Sequence, residues 1–139
     1  MPEEKPIIVD TNILFSSLLR KESSFVEVLL IYEHRFFVCE MVLVELFKLK
    51  EKIVKESQLS EEDILRFYYE LIRRINIFKE KLIAKGNWKK ALELCKDVDV
   101  TDTPHVALTL ELDGFLWTGD KKLKEGLKKR GFDKFFIPD

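Results

Sequence analysis

Pro6-Ile7-Ile8-Val9-Asp10-Thr11-Asn12 opens with an unbroken apolar run and stops in three polar residues. A short run of this kind reads as a strand buried on both faces of a parallel sheet. The polar residues behind it then lie in the loop beyond the strand's carboxyl end, where open α/β sheets bind their ligands. Working outward, Phe36-Phe37-Val38, Ile75-Asn76-Ile77-Phe78, Phe115-Leu116-Trp117 and Phe135-Phe136-Ile137 are further strand candidates. Between them fall helical patterns. A short helix follows Asn12 to Leu19, and Ser24 can cap another with Phe25, Val28, Leu29 and Tyr32 on one face. Val42, Leu46, Leu49 and Ile53 predict a helix over 41–55. Ser60 opens a helix whose core residues are expected at Ile64, Tyr68, Leu71 and Ile72, and Asn87 is expected to cap one running from Trp88 to Cys95. Thr103-Pro104 is a helix start before Val106, Ala107 and Leu110, and a last helix over 121–130 ends at Gly131. Strands alternating with helices predict an α/β domain with a parallel sheet.

The chain has 139 residues, 46% of them hydrophobic, enough to bury a core without disulfides or metals. Residues 1–139 read as one domain, with no repeat, linker or low-complexity stretch. Charged residues make up 35%, yet the formal net charge is −1. That balance argues against a protein holding nucleic acid by bulk positive charge, while leaving room for local lysine clusters. Cys39 and Cys95 form no CxxC pair, so neither a thiolate metal site nor a disulfide framework is expected, and Cys95 reads as a core thiol on a stripe with Trp88, Ala91 and Leu92. The opening MPEEKPIIVD is acidic, with no signal-peptide pattern, and no run is long enough to span a bilayer. The expected location is the cytoplasm.

Four acids stand where acids are awkward. Asp10 follows an apolar strand directly, and Asp120 follows Phe115-Leu116-Trp117 after Thr118-Gly119. Glu45 lies between Val42 and Leu49 on the apolar side of its helix, and Asp102 is in line with Val106 and Leu110. Each has an ordinary reading on its own. Asp10 suits a turn, Asp102 and Asp120 suit helix caps, and Glu45 suits an exposed helix face. Together they call for a partner, because desolvated carboxylates are costly and tend to protonate. A hard divalent cation such as Mg²⁺ or Mn²⁺ answers that need. With only His34 and His105 in the chain, a zinc site built on histidines is not expected, and His105 is read as a solvent-facing residue at a helix start. Lys121 and Lys122 are candidates for phosphate contact beside the acids. In Lys85-Gly86-Asn87-Trp88-Lys89-Lys90 bases neighbour an aromatic, a pattern that can grip single strands, although Trp88 also fits the core stripe.

The segments bearing the four acids resemble the motifs of PIN domains. The opening one is Ile7-Ile8-Val9-Asp10-Thr11-Asn12-Ile13-Leu14-Phe15-Ser16; the second is Val42-Leu43-Val44-Glu45-Leu46. The third is Asp102-Thr103-Pro104-His105-Val106-Ala107-Leu108, and the closing one Leu116-Trp117-Thr118-Gly119-Asp120-Lys121-Lys122-Leu123. The resemblance implies a three-layer α/β/α sandwich around a parallel sheet of about five strands. It implies a Mg²⁺- or Mn²⁺-dependent endoribonuclease, with Asp10, Glu45, Asp102 and Asp120 as the acidic metal and catalytic quartet. Asn12 and Thr118 match polar supports of the first and last aspartates, and Asp99 matches an extra acid of some members. Many members are toxins paired with an antitoxin protein, and many are homodimers. The long stretch over 57–78 and the closing Trp-Thr-Gly-Asp-Lys-Lys depart from the commonest toxin pattern. A catalytically silent module of the same fold, binding RNA or a protein partner, is the alternative, though retired sites usually lose acids. A phosphatase with Asp10 as nucleophile would want an aspartate where Asn12 stands.

Overall fold

The structure is a computed structural model, and it describes residues 5–19, 28 and 35–138. The expected helix after Ser24 lies outside the described residues, apart from Val28, which is buried. Four parallel strands form the sheet: β1 (Ile7–Val9), β2 (Phe36–Cys39), β3 (Ile75–Phe78) and β4 (Phe115–Trp117), in the order β3-β2-β1-β4. The sequence leads one to expect about five strands. The fifth, at Phe135, is reduced to a single parallel bridge to Leu116, flanked by hydrogen bonds Leu116 N–H to Lys134 O and Phe136 N–H to Leu116 O. Ile7, Ile8 and Val9 are almost wholly shielded, which requires cover on both faces of the sheet and explains their continuous apolar run.

Seven helices flank the sheet among the described residues: α1 (Thr11–Leu19), α2 (Met41–Lys48), α3 (Lys50–Glu56), α4 (Glu61–Arg74), α5 (Lys85–Cys95), α6 (Thr103–Leu112) and α7 (Lys121–Lys129). The architecture is the expected α/β sandwich. Its order decides where the ligand crevice falls. From β1 the chain moves to β2 and β3 on one side, then crosses back so that β4 pairs with β1 on the other. The strand order therefore reverses between β1 and β4, and crevices of α/β folds open beyond the carboxyl ends of strands at such a reversal.

Several local expectations change. The helix expected over 41–55 is two helices separated at Leu49, with Val42, Leu46 and Ile53 still in the core. Ser60 does cap α4, its hydroxyl accepting from Asp63 N–H, but the buried face is Ile64, Phe67 and Leu71, and Ile72 is 57% exposed. α5 begins at Lys85 rather than after Asn87, whose amide instead donates to Glu111 Oε1. Ala91 and Cys95 are buried, as the stripe predicts, whereas Leu92 is exposed. Burial pushes the Cys39 thiol up to about 12 and the Cys95 thiol up to about 11, so both are inert core groups. Among the described residues, no helix is long and apolar enough to cross a membrane.

Candidate active site

Asp10 and Asp120 occupy equivalent positions, each at the junction of a strand and the helix behind it. Val9 pairs with Trp117, and Asp10 N–H donates to Trp117 O, so the two strands leave the sheet side by side. Asp10 Oδ1 accepts from Ile13 N–H at 2.9 Å, and Asp120 Oδ1 accepts from Leu123 N–H at 3.1 Å. Each aspartate thus caps the following helix with one carboxylate oxygen. Both side chains also line the cleft described below, so the capping role and the site role coexist in one carboxylate. Thr118 ties the two together: it hydrogen-bonds the Asp10 carboxyl and accepts from Asp120 N–H.

Both aspartates line a cleft of about 500 Å³ that also takes in Glu45, Asp99 and Asp102. Glu45 comes from the half-buried side of α2, one residue before the core residue Leu46. Asp102 stands just ahead of α6 but makes no side-chain cap bond, which leaves its carboxyl to the cleft. Asp99 bonds Thr101 and shares a hydrogen bond with Asp102. All four acids singled out in the sequence therefore face one cavity, with Asp99 beside them. Asn12 also lines it, but it supports Asp10 through its backbone N–H rather than its side chain.

The electrostatics follow from crowding like charges at low exposure. Burial raises Asp10 above the usual carboxylate range; hydrogen bonds from Thr118 and the Ile13 N–H work against the rise, and the nearby Asp120 charge adds to it. Asp102 is pushed up to about 7 by burial first, then by the charges of Asp99, Asp10 and Asp120. The hydrogen bond between Asp99 and Asp102 lowers the first and raises the second. Among the described residues, no lysine or arginine lines the cleft to offset these charges.

His105 departs from expectation. It is 4% exposed and lines the acidic cleft instead of facing solvent. Burial drops its imidazole to about 4, so it is neutral at pH 7. The cause is legible in hindsight: Val106, Ala107, Leu108 and Thr109 are all buried, and a helix shielded all round shields its first turn as well. Sequence reading also missed Glu80, whose carboxylate accepts from Met41 N–H at the start of the helix carrying Glu45. That contact spans 39 residues and has no local signal.

Among the described residues, no three acidic, imidazole or thiol side chains close tightly enough to hold an ion by themselves. The donor set still fits a hydrated hard cation. It consists of carboxylate oxygens, and Mg²⁺ keeps several waters and needs only one or two protein carboxylates. His105 Nδ1 and Thr11 Oγ1, both on residues lining the cleft, are the buried side-chain polar atoms without a hydrogen-bond partner among the described residues. Buried polar atoms left unpaired are costly, and a site that exchanges ligands is where they are tolerated.

A family model described as PIN domain matches residues 8–136 of the chain. A search of the curated proteins returns no match.

Proposed function

This chain belongs to the PIN domain family, whose members are commonly nucleases, and on that premise we propose that it is a Mg²⁺- or Mn²⁺-dependent endoribonuclease. One observation carries the reading. Asp10, Glu45, Asp102 and Asp120 come from four separate segments and line one cleft at the point where strand order reverses, with no lysine or arginine among the described residues that line it. A carboxylate cluster of this kind costs stability unless it serves a cation, and its retention argues against a silent module.

Asp10 and Asp120 would hold the ion through their carboxylates, with Asp102 and Glu45 completing the acidic wall. When bound, a divalent ion supplies a water of lowered pKa and a positive charge beside the scissile phosphate. The chain's own residues do the rest. Thr118 fixes the relative placement of Asp10 and Asp120 through its two hydrogen bonds. Asp102, held protonated up to about 7 by burial and its acidic neighbours, would be the residue whose charge balances a bound cation. Lys121 and Lys122, exposed in the first turn of α7 directly behind Asp120, would meet phosphates flanking the cut. No protein nucleophile is required. Cys39 and Cys95 are buried with raised pKa values, and Ser17, the buried serine of α1, spends its hydroxyl on Ile13 O.

The test is cleavage of labelled single-stranded RNA with Mn²⁺, Mg²⁺ or EDTA, run beside Asp10→Asn and Asp120→Asn. Asparagine keeps an oxygen for the helix cap, so these variants remove charge with little cost to the fold. Metal-dependent cutting that disappears in both variants is expected. Equal cutting by wild type and variants would sink the proposal.

A further inference from the structure

An acidic cleft repels the strand it is proposed to cut, so the strand has to be held on cations elsewhere. A second cleft, of about 560 Å³, is bounded by α5 and the far end of α7 and lined by Gly86, Lys89, Lys90, Glu93, Leu94 and Arg130. Arg130 is fixed there: one guanidinium nitrogen pairs with Asp97 at 2.6 Å and another donates to Glu93 O. Lys89 and Lys90 are exposed and enter no ion pair among the described residues. The floor is open, since a Cβ on Gly86 would meet nothing within 4 Å. Trp88 is not part of this surface. It is half-buried and its indole N–H donates to Glu80 O, so its ring is a packing element and no platform for a base.

The two clefts are joined by helices. Asp120 caps one end of α7 and Arg130 follows the other, and ten residues at about 1.5 Å each put roughly 15 Å between them. The intervening helix, Lys121-Lys122-Leu123-Lys124-Glu125-Gly126-Leu127-Lys128-Lys129, is basic. α5 makes the same connection from the other side, from Lys89 and Lys90 to Cys95, beside Asp99 and Asp102.

Resting on the nuclease reading, we propose that Lys89, Lys90 and Arg130 form a remote seat for the phosphate backbone of single-stranded RNA, reached along α7 from the acidic cleft. Binding there is electrostatic and independent of sequence, and a strand with too few phosphates to meet its cations together gains little from it. Phosphate contact explains why Lys89 and Lys90 enter no ion pair among the described residues, and it reconciles a near-neutral chain with a polyanionic substrate.

The experiment measures affinity of the full chain in EDTA for fluorescein-labelled RNAs of about 20 and about 2 nucleotides, the shorter carrying too few phosphates to engage the seat's cations together. The variants are Lys89→Glu/Lys90→Glu, a milder Lys89→Gln/Lys90→Gln, and Lys48→Glu/Lys55→Glu as a charge-matched control on α2 and α3. Circular dichroism melts establish that each variant is folded. The Lys89/Lys90 variants should weaken the long RNA only, and the dependence of log affinity on log salt should become shallower by about 1.4, two contacts at about 0.7 each. In cleavage, KM for the long RNA should rise while kcat stays unchanged. Equal loss in the control variant, equal loss for both RNAs, or no loss at all would each overturn the seat. Because binding is read without metal, a chain that never cuts RNA yet loses long-RNA affinity in the Lys89/Lys90 variants would refute the nuclease reading and leave the seat standing.

Discussion

At the scale of single residues, the acidic cleft sets opposing pH dependences. The folded chain keeps the Asp102 proton up to about 7, whereas an unfolded chain loses it near 3.8. Between those values the folded state binds more protons, so this residue's contribution declines as pH rises. His105 runs the other way: it protonates near 6.5 when unfolded and near 4 when folded, so its contribution is complete above 6.5 and lost as pH falls through 4. Between about pH 4 and 6.5 the two slopes oppose each other. Urea midpoints measured across that window should rise with pH in Asp102→Asn, where the His105 slope is no longer opposed by Asp102. They should fall with pH in His105→Phe; midpoints moving the other way would refute the assignment. Cation binding is linked to the same proton. Mg²⁺ or Mn²⁺ affinity should strengthen as pH rises through about 7, with proton release visible by calorimetry in buffers of different ionisation enthalpy. Added cation should raise the melting temperature and EDTA should reverse the gain. Affinity independent of pH would place the ion away from Asp102.

At the scale of elements, the start of α2 decides where Glu45 points. Glu40, at the N-cap position, makes no side-chain cap bond, and Glu80 substitutes from across the fold by accepting from Met41 N–H. Glu80→Ala should cost about 1 kcal/mol in urea unfolding, the usual worth of a lost cap, and should weaken metal binding through Glu45. Glu80→Gln keeps an acceptor oxygen and should retain most of both, so identical losses in the two variants would count against a capping role. The elements themselves were largely legible, because apolar strands and amphipathic helices carry their period in the sequence. Asp10, Glu45, Asp102 and Asp120 stood out because each breaks an apolar pattern. What was not legible depends on distant chain. Ile72 and Leu92 satisfy the helical period yet face solvent, because nothing among the described residues covers them. Asn87 looked like a cap until Glu111, 24 residues away, claimed its amide. His105 is buried by the helices and strands around α6, which its own neighbours in sequence could only hint at.

At the scale of the molecule, the acidic cleft is assembled at one end of the β1–β4 pair, and the other end of that pair is closed by a contact with no room in it. Asp113 turns the chain with φ 50°, and Gly114 then lies so close to β1 that a Cβ would sit 2.3 Å from Pro6 O. Phe115 N–H bonds that same oxygen, starting the ladder that ends with Asp10 N–H on Trp117 O. Gly114→Ala should destabilise the fold by about 1–3 kcal/mol, the range for forcing extra atoms into a packed site. Urea denaturation gives the measurement, and an unchanged midpoint would mean the strands separate freely there. The spacing of Asp10 and Asp120 is inherited from this ladder. A single methyl group at the foot of two short strands therefore acts like a wedge under a hinge: it opens the jaws at the opposite end, and the acidic site can be lost through a substitution that touches no carboxylate.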